Sequence, residues 1–220
     1  MVDGAKSKVI IVTDGDHTAW EAVSAAAADL GLYALPQSRG NPTPRGVAAL
    51  TDAVRKAPCE PVVVLVDDQG DADTGPGERV LDGLLRAPEL QVLGVVAVAS
   101  HTRGVRGVEP WISVTGSDQR VKGAVDKGGH AQQGRLRGDT VDVLNGEDVP
   151  VVGLGDPGKM GGRDAVGRGA PATREALRAI LERAGLDPRK ERKERKEGKE
   201  GERGKRGPEG TEGDHHRGHA

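Results

Sequence analysis

Residues 9–12, Val-Ile-Ile-Val, form a β-branched run without polar alternation. That is the pattern of a strand covered on both faces in a parallel α/β sheet. The run passes through Thr13 into Asp14-Gly15-Asp16, and residues 62–68 repeat it as four Val/Leu positions, Val66, Asp67 and Asp68. Between the two copies, 17–30 reads as a helix with Asp16 or Thr18 as its cap and Gly31 as its stop. Residues 33–35 give a weak second strand ended by Pro36. In the turn-rich loop that follows, Thr43-Pro44 has the form of an N-cap with proline at the first helical position, starting a helix that runs to about Lys56. A third strand over 61–66, a helix over 77–86 and a fourth strand over 91–99 continue the alternation. The expected fold is α/β: a doubly wound, mostly parallel, Rossmann-like sheet with right-handed crossovers.

The rhythm breaks over 100–148. Residues 111–114, 121–125 and 140–144 alternate apolar and polar positions and are punctuated by glycines. Half-exposed antiparallel strands have that pattern, so a small β-rich insertion against one edge of the sheet is expected. The main rhythm resumes with a strand over 149–154, a glycine-rich turn and a helix over 172–184, whose Ala176, Leu177, Ile180 and Leu181 share a face. From Asp187 the composition changes, and 189–206 is almost entirely Lys, Arg, Glu and Gly. Such a segment has too little apolar surface to order itself. The expected organisation is a single α/β domain over 1–186 and a disordered charged tail over 187–220.

Composition narrows the function classes. Two tryptophans and one tyrosine are the whole aromatic content, so the core must be aliphatic and base stacking is poorly served. Residues 1–186 carry 21 Lys+Arg against 25 Asp+Glu, and 187–220 carry 11 against 9. Neither part has the basic excess of a nucleic-acid binder. Cys59 is the single cysteine, which excludes an intrachain disulfide and is expected to be structural. Residues 1–7 are short and polar, unlike a signal peptide. The longest apolar run, 92–99, falls far below the roughly 18 residues of a membrane span. A soluble protein that meets membranes only through a partner is therefore expected.

Two groups carry candidate chemistry. Asp14, Asp16, Asp67 and Asp68 lie at the ends of two strands, with His101 just past the fourth. Hard cations such as calcium or magnesium need several oxygen ligands, and converging loops can supply them. The competing expectation is that these aspartates only cap helices and end strands. The second group is Gly155, Gly158 and Lys159, within a segment of G-x-x-x-x-G-K spacing. Met160 stands where a P-loop has its hydroxyl residue, Pro157 removes an N–H, and the loop follows the last strand, all of which count against nucleotide binding. A glycine turn into a helix, presenting N–H groups and Lys159 to an anion, remains. Ser100 and His101 lack a G-x-S-x-G elbow, which excludes serine hydrolase chemistry. On these residues a divalent-cation-dependent phosphoryl-transfer or phosphate-binding enzyme stands beside a non-enzymatic binding module.

A series of short segments then points to one family. They are V-T-D-G-D at 12–16, G-N-P-T at 40–43, V-D-D-Q-G at 66–70 and V-L-G-V-V-A-V-A-S at 92–100. V-D-K-G-G at 125–129, G-D-T-V at 138–141, G-D-P-G-K-M-G-G-R-D at 155–164 and R-G-A-P-A-T at 168–173 complete it. In this order the chain, from about residue 8 to 186, resembles the soluble stage V sporulation protein AE of endospore-forming bacteria, and the tail departs from the pattern. The resemblance implies a soluble accessory subunit of the machinery that moves dipicolinic acid, with calcium, into the spore and out at germination. It implies a peripheral position at the inner spore membrane, on the cytoplasmic or forespore side, beside other stage V sporulation proteins. It carries over no catalytic residues.

Overall fold

The computed structural model describes residues 5–69, 75–102 and 104–186. The tail expected over 187–220 lies outside the described residues. Strand β1 (Ser7–Val12) leads into helix α1 (His17–Leu30) and the short β2 (Tyr33–Ala34). Helix α2 (Val47–Arg55), β3 (Val62–Leu65), α3 (Pro76–Arg86) and β4 (Leu90–Val98) follow. Four short strands come next: β5 (Ile112–Val114), β6 (Arg120–Val121), β7 (Ala124–Val125) and β8 (Ala131–Gln132). The chain returns with β9 (Val151–Leu154) and ends its described part in α4 (Pro171–Arg183).

The main sheet has the order β2-β3-β1-β4-β9-β5-β6, parallel throughout except for β6. The dinucleotide-binding order would put β2 beside β1. Here β3 sits between them, which brings the Asp14 and Asp67 turns side by side. Every side chain of residues 9–12 and 62–65 is buried, as a strand covered on both faces requires. Ile10 and Val12 face a core closed by α1 and α4, while Val9 and Ile11 face one closed by α2 and α3. Ala22, Ala26 and Ala27 of α1 are fully buried, and their small side chains let the helix lie close to the sheet.

The insertion differs from its expected form. β5 is a strand, but it joins the main sheet parallel to β9, with only β6 antiparallel beyond it. Residues 121–125 are split between β6 and β7 at Gly123, whose φ of +83° bends the chain and whose carbonyl accepts the Ser113 hydroxyl. Residues 140–144 are not a strand: 142–144 form a 3-10 turn, because the Asp142 carboxylate accepts the Arg106 and Gly107 N–H groups. Val108, Leu136, Val141 and Leu144 pack under the α2/α3 face, so the insertion covers that face as well as extending the edge. Thr43 is not a helix cap either. Helix α2 starts four residues later behind Gly46, and Thr43 is spent on Asp67.

Candidate functional site at the carboxyl edge

Strands β1 and β3 run in register, Val9 opposite Val62 and Val12 opposite Leu65, and therefore end level. Beyond Val12, the Thr13 N–H continues the ladder to the Val96 carbonyl and its hydroxyl accepts the Val98 N–H. Asp14 thus leaves the sheet at a fixed point, beside the end of β3.

Asp67 is the keystone of this edge. Its backbone N–H donates to the Thr43 hydroxyl at 2.7 Å, and its carbonyl accepts the Thr43 N–H at 2.9 Å. Its carboxylate accepts the Gly15 N–H at 2.9 Å and the Gln69 N–H at 2.8 Å. Gly15 has no room for a side chain, because a Cβ there would meet the Gly40 carbonyl and the Asp67 side chain. Gly77 is closed in the same way by the Asp67 backbone. Three loops are therefore clasped around one buried carboxylate.

The four aspartates singled out by the sequence do different work. Asp16 caps α1, accepting the Ala19 N–H at 2.8 Å. Asp68 caps α3, accepting the Gly77 and Glu78 N–H groups at 2.5 and 3.0 Å. Asp14 accepts the Asp16 N–H and lies within electrostatic reach of Asp16, Asp67 and Asp156. Among the described residues no three His, Cys, Asp or Glu side chains are arranged to hold a metal ion. His101 is exposed beyond β4.

The electrostatics mark this edge as a cluster of like charges. Burial pushes the Asp14 carboxyl well above its ordinary value, and the neighbouring Asp16, Asp67 and Asp156 carboxylates push it further. Asp67 is pushed up to about 6, first by burial and then by Asp139 and Asp16, against the pull of its two backbone donors. Asp156 is raised by burial, with the Lys159 and Lys127 ammonium groups opposing.

Asp156 and Asp139 are members that sequence reasoning missed. Asp156 follows β9 as Asp14 follows β1, and this third strand-then-aspartate copy was the available signal. Asp139 comes from the irregular insertion and left no signal in spacing.

The Gly155–Lys159 loop is built differently from its expected form. No helix follows it directly: turns run on to a 3-10 segment at Val166–Arg168 before α4 begins. Its N–H groups are turned inward, Asp156 to the Lys127 carbonyl, Gly158 to the Asp156 carboxylate and Lys159 to the Asp156 carbonyl. Gly155 packs on the Gly129 backbone and Gly129 on that of Gly116, and a Cβ on Gly155 or Gly129 would collide with that backbone and with the Met160 sulfur. The exposed Lys159 ammonium of this loop and the half-buried Lys127 of the turn between β7 and β8 are cations that act on Asp156.

Comparison with curated proteins and with solved structures gives no match. A family model described as stage V sporulation protein AE1 matches residues 8–184. That span takes in β1, the Asp67 clasp, the inward-turned loop and α4, so the chain belongs to the stage V sporulation protein AE1 family and its role lies in sporulation.

Proposed function

We propose that this chain is an accessory subunit of the stage V machinery that moves dipicolinic acid with calcium, working at the inner spore membrane beside other stage V proteins. The observation that carries the reading is the family match over 8–184. No helix among the described residues is long and apolar enough to cross a membrane, which suits a subunit that acts beside membrane-embedded ones. The carboxyl edge supplies a chemistry for the cargo. Asp14, Asp67 and Asp156 concentrate negative charge that would attract a cation without forming a ligand set of their own, and Lys127 and Lys159 stand next to Asp156 for the carboxylates of an accompanying anion. Calcium is cargo in this reading, its coordination completed by the dicarboxylate.

Thermal unfolding of the purified chain tests it, since a ligand bound to the folded state raises the transition by mass action. Calcium dipicolinate should raise the melting temperature saturably and beyond calcium alone, and Asp14→Asn should abolish the difference. Free calcium must be held constant, because dipicolinate strips the ion from weak sites. An unmoved transition at millimolar calcium dipicolinate would sink the cargo contact.

A second reading, a cation-dependent phosphoryl-transfer enzyme, rests on Asp67, whose carboxyl near 6 lies in the range useful for proton transfer. Magnesium-dependent turnover of phosphorylated substrates, lost in Asp14→Asn, would favour it over the accessory role.

A further inference from the structure

Arg163 lies exposed on the loop between β9 and α4, with its backbone fixed on both sides. Its N–H donates to the carbonyl of the buried Met160 at 3.2 Å, and the next residue is the buried Asp164 that holds the start of α4. The side chain lies over Gly116 at the end of β5. A Cβ on Gly116 would stand 3.5 Å from the Arg163 Cδ, 3.6 Å from its Nη1 and 3.4 Å from the Gly128 carbonyl oxygen. Gly128 follows Lys127, and the Gly129 backbone packs between Gly116 and Gly155, so the guanidinium sits at the carboxyl edge beside the segments that carry Lys127 and Lys159. Arg120 of β6 and Arg174 and Arg178 of α4 each have a carboxylate, at 2.7, 3.3 and 2.8 Å. Arg163 has none among the described residues. Asp126, the acid of the adjoining turn, accepts from the His130 N–H at 2.8 Å and lies 3.2 Å from its ring nitrogen. Asp156 is answered by Lys127 and Lys159.

We propose that Arg163 is the anion-recognising residue of this edge, binding one carboxylate of a dicarboxylate through two parallel N–H groups, with Lys127 and Lys159 flanking it. The anion's identity rests on the cargo role proposed above, whereas the choice of Arg163 rests on its surroundings. Lys127 and Lys159 are already drawn on by Asp156, which leaves Arg163 as the cation of this group without a counter-charge. An ammonium attracts any anion as a point charge, whereas the planar guanidinium matches the two oxygens of a carboxylate. The backbone of Arg163 is held by Met160 and Asp164 before any ligand arrives, which lowers the ordering cost of binding. Gly116, by carrying no side chain, leaves the space under the guanidinium stem open. The acids of the edge attract the cation of the pair and Arg163 its anion, so the two halves of the cargo have separate points of contact.

Calorimetric titration of the full chain with dipicolinate, at a fixed free calcium concentration, reads the contact. Arg163→Gln should weaken dipicolinate binding about tenfold or more, the scale of a hydrogen-bonded charge pair. Arg163→Lys keeps the charge but not the paired donors, and should recover only part of the loss. Arg168→Gln, in the same loop, should bind as the native chain does. Without ligand, Arg163→Gln should melt with the native chain, since it loses no ion pair among the described residues. In nitrogen-edited spectra the Arg163 Nε–H signal, assigned by its loss in Arg163→Gln, should move as dipicolinate is added. Native binding that persists undiminished in Arg163→Gln would overturn the proposal and leave the cargo role standing. Full recovery in Arg163→Lys would reduce the residue to a point charge and overturn its role in recognising the carboxylate. Absence of binding to the native chain would bring down the cargo role and the proposal together.

Discussion

Asp67 shows how one residue can serve fold and site together, and at what cost. Its backbone and carboxylate hold the Gly15 and Thr43 loops, yet the same burial and the nearby acids raise its pKa from the unfolded value of 3.8 to about 6. The sign of the linkage follows. Between those values the folded chain holds protons that the unfolded chain has lost, so this group destabilises the fold above pH 6 and stops doing so as pH falls toward 4. The penalty at neutral pH is on the order of 3 kcal/mol for a shift of this size. Asp14 and Asp156 are shifted in the same direction and reinforce it. Stability should therefore rise on acidification from pH 7.5 to about 5, a window taken from the Asp67 value. Asp14→Asn keeps an oxygen for the Asp16 N–H and removes a charge, so it should raise the melting temperature at pH 7.5 and flatten the pH profile. A native profile that falls steadily from pH 7.5 to 5, unchanged by Asp14→Asn, would refute the repulsion argument.

At the scale of elements, what could be read from the sequence depended on how far each controlling contact reached along the chain. α1 was legible to the residue, because its cap Asp16 and its stop Gly31, with φ +75°, lie next to it. The misread elements answer to distant partners. Thr43 is turned from a cap into a clasp by Asp67, 24 residues on, and 142–144 is turned from a strand into a 3-10 segment by N–H groups at 106 and 107. α4 was legible to within one residue, 171–183 against the expected 172–184, but its cap was not. It begins behind Ala170, which offers no side-chain cap, and takes its cap from Asp164. That buried carboxylate accepts the Ala172 and Thr173 N–H groups and the Thr173 hydroxyl, at 2.7, 3.1 and 2.5 Å. Asp164→Ala leaves these donors without their acceptor and should cost about 2–3 kcal/mol, measured by urea unfolding. Asp164→Asn retains one acceptor and should cost less. Equal stability of Asp164→Ala and the native chain would mean that water replaces the cap, and α4 would owe its place to packing alone.

For the whole molecule, the alternation of buried runs and helices was enough to give a sheet covered on both faces, but not its strand order. The order depends on β3 entering between β1 and β2, and no local pattern records that choice. The same limit hid the insertion's role as a cover over the α2/α3 face. Both cores are nevertheless complete within the described residues. One is closed by α1 and α4, the other by α2, α3 and the insertion, and Leu186, the last described residue, packs against the first. Residues 187–220 hold no apolar face to add to either. Their charges can add only a screened surface attraction, of about 1 kcal/mol or less. Truncation after Leu186 should then lower the melting temperature by no more than about 2–4 °C, the shift that about 1 kcal/mol gives in a domain of this size. That small loss should disappear at high salt, where a surface attraction is already screened. A larger, salt-independent loss would mean that the tail buries apolar surface against the body, and the division of the chain at residue 186 would have to be redrawn.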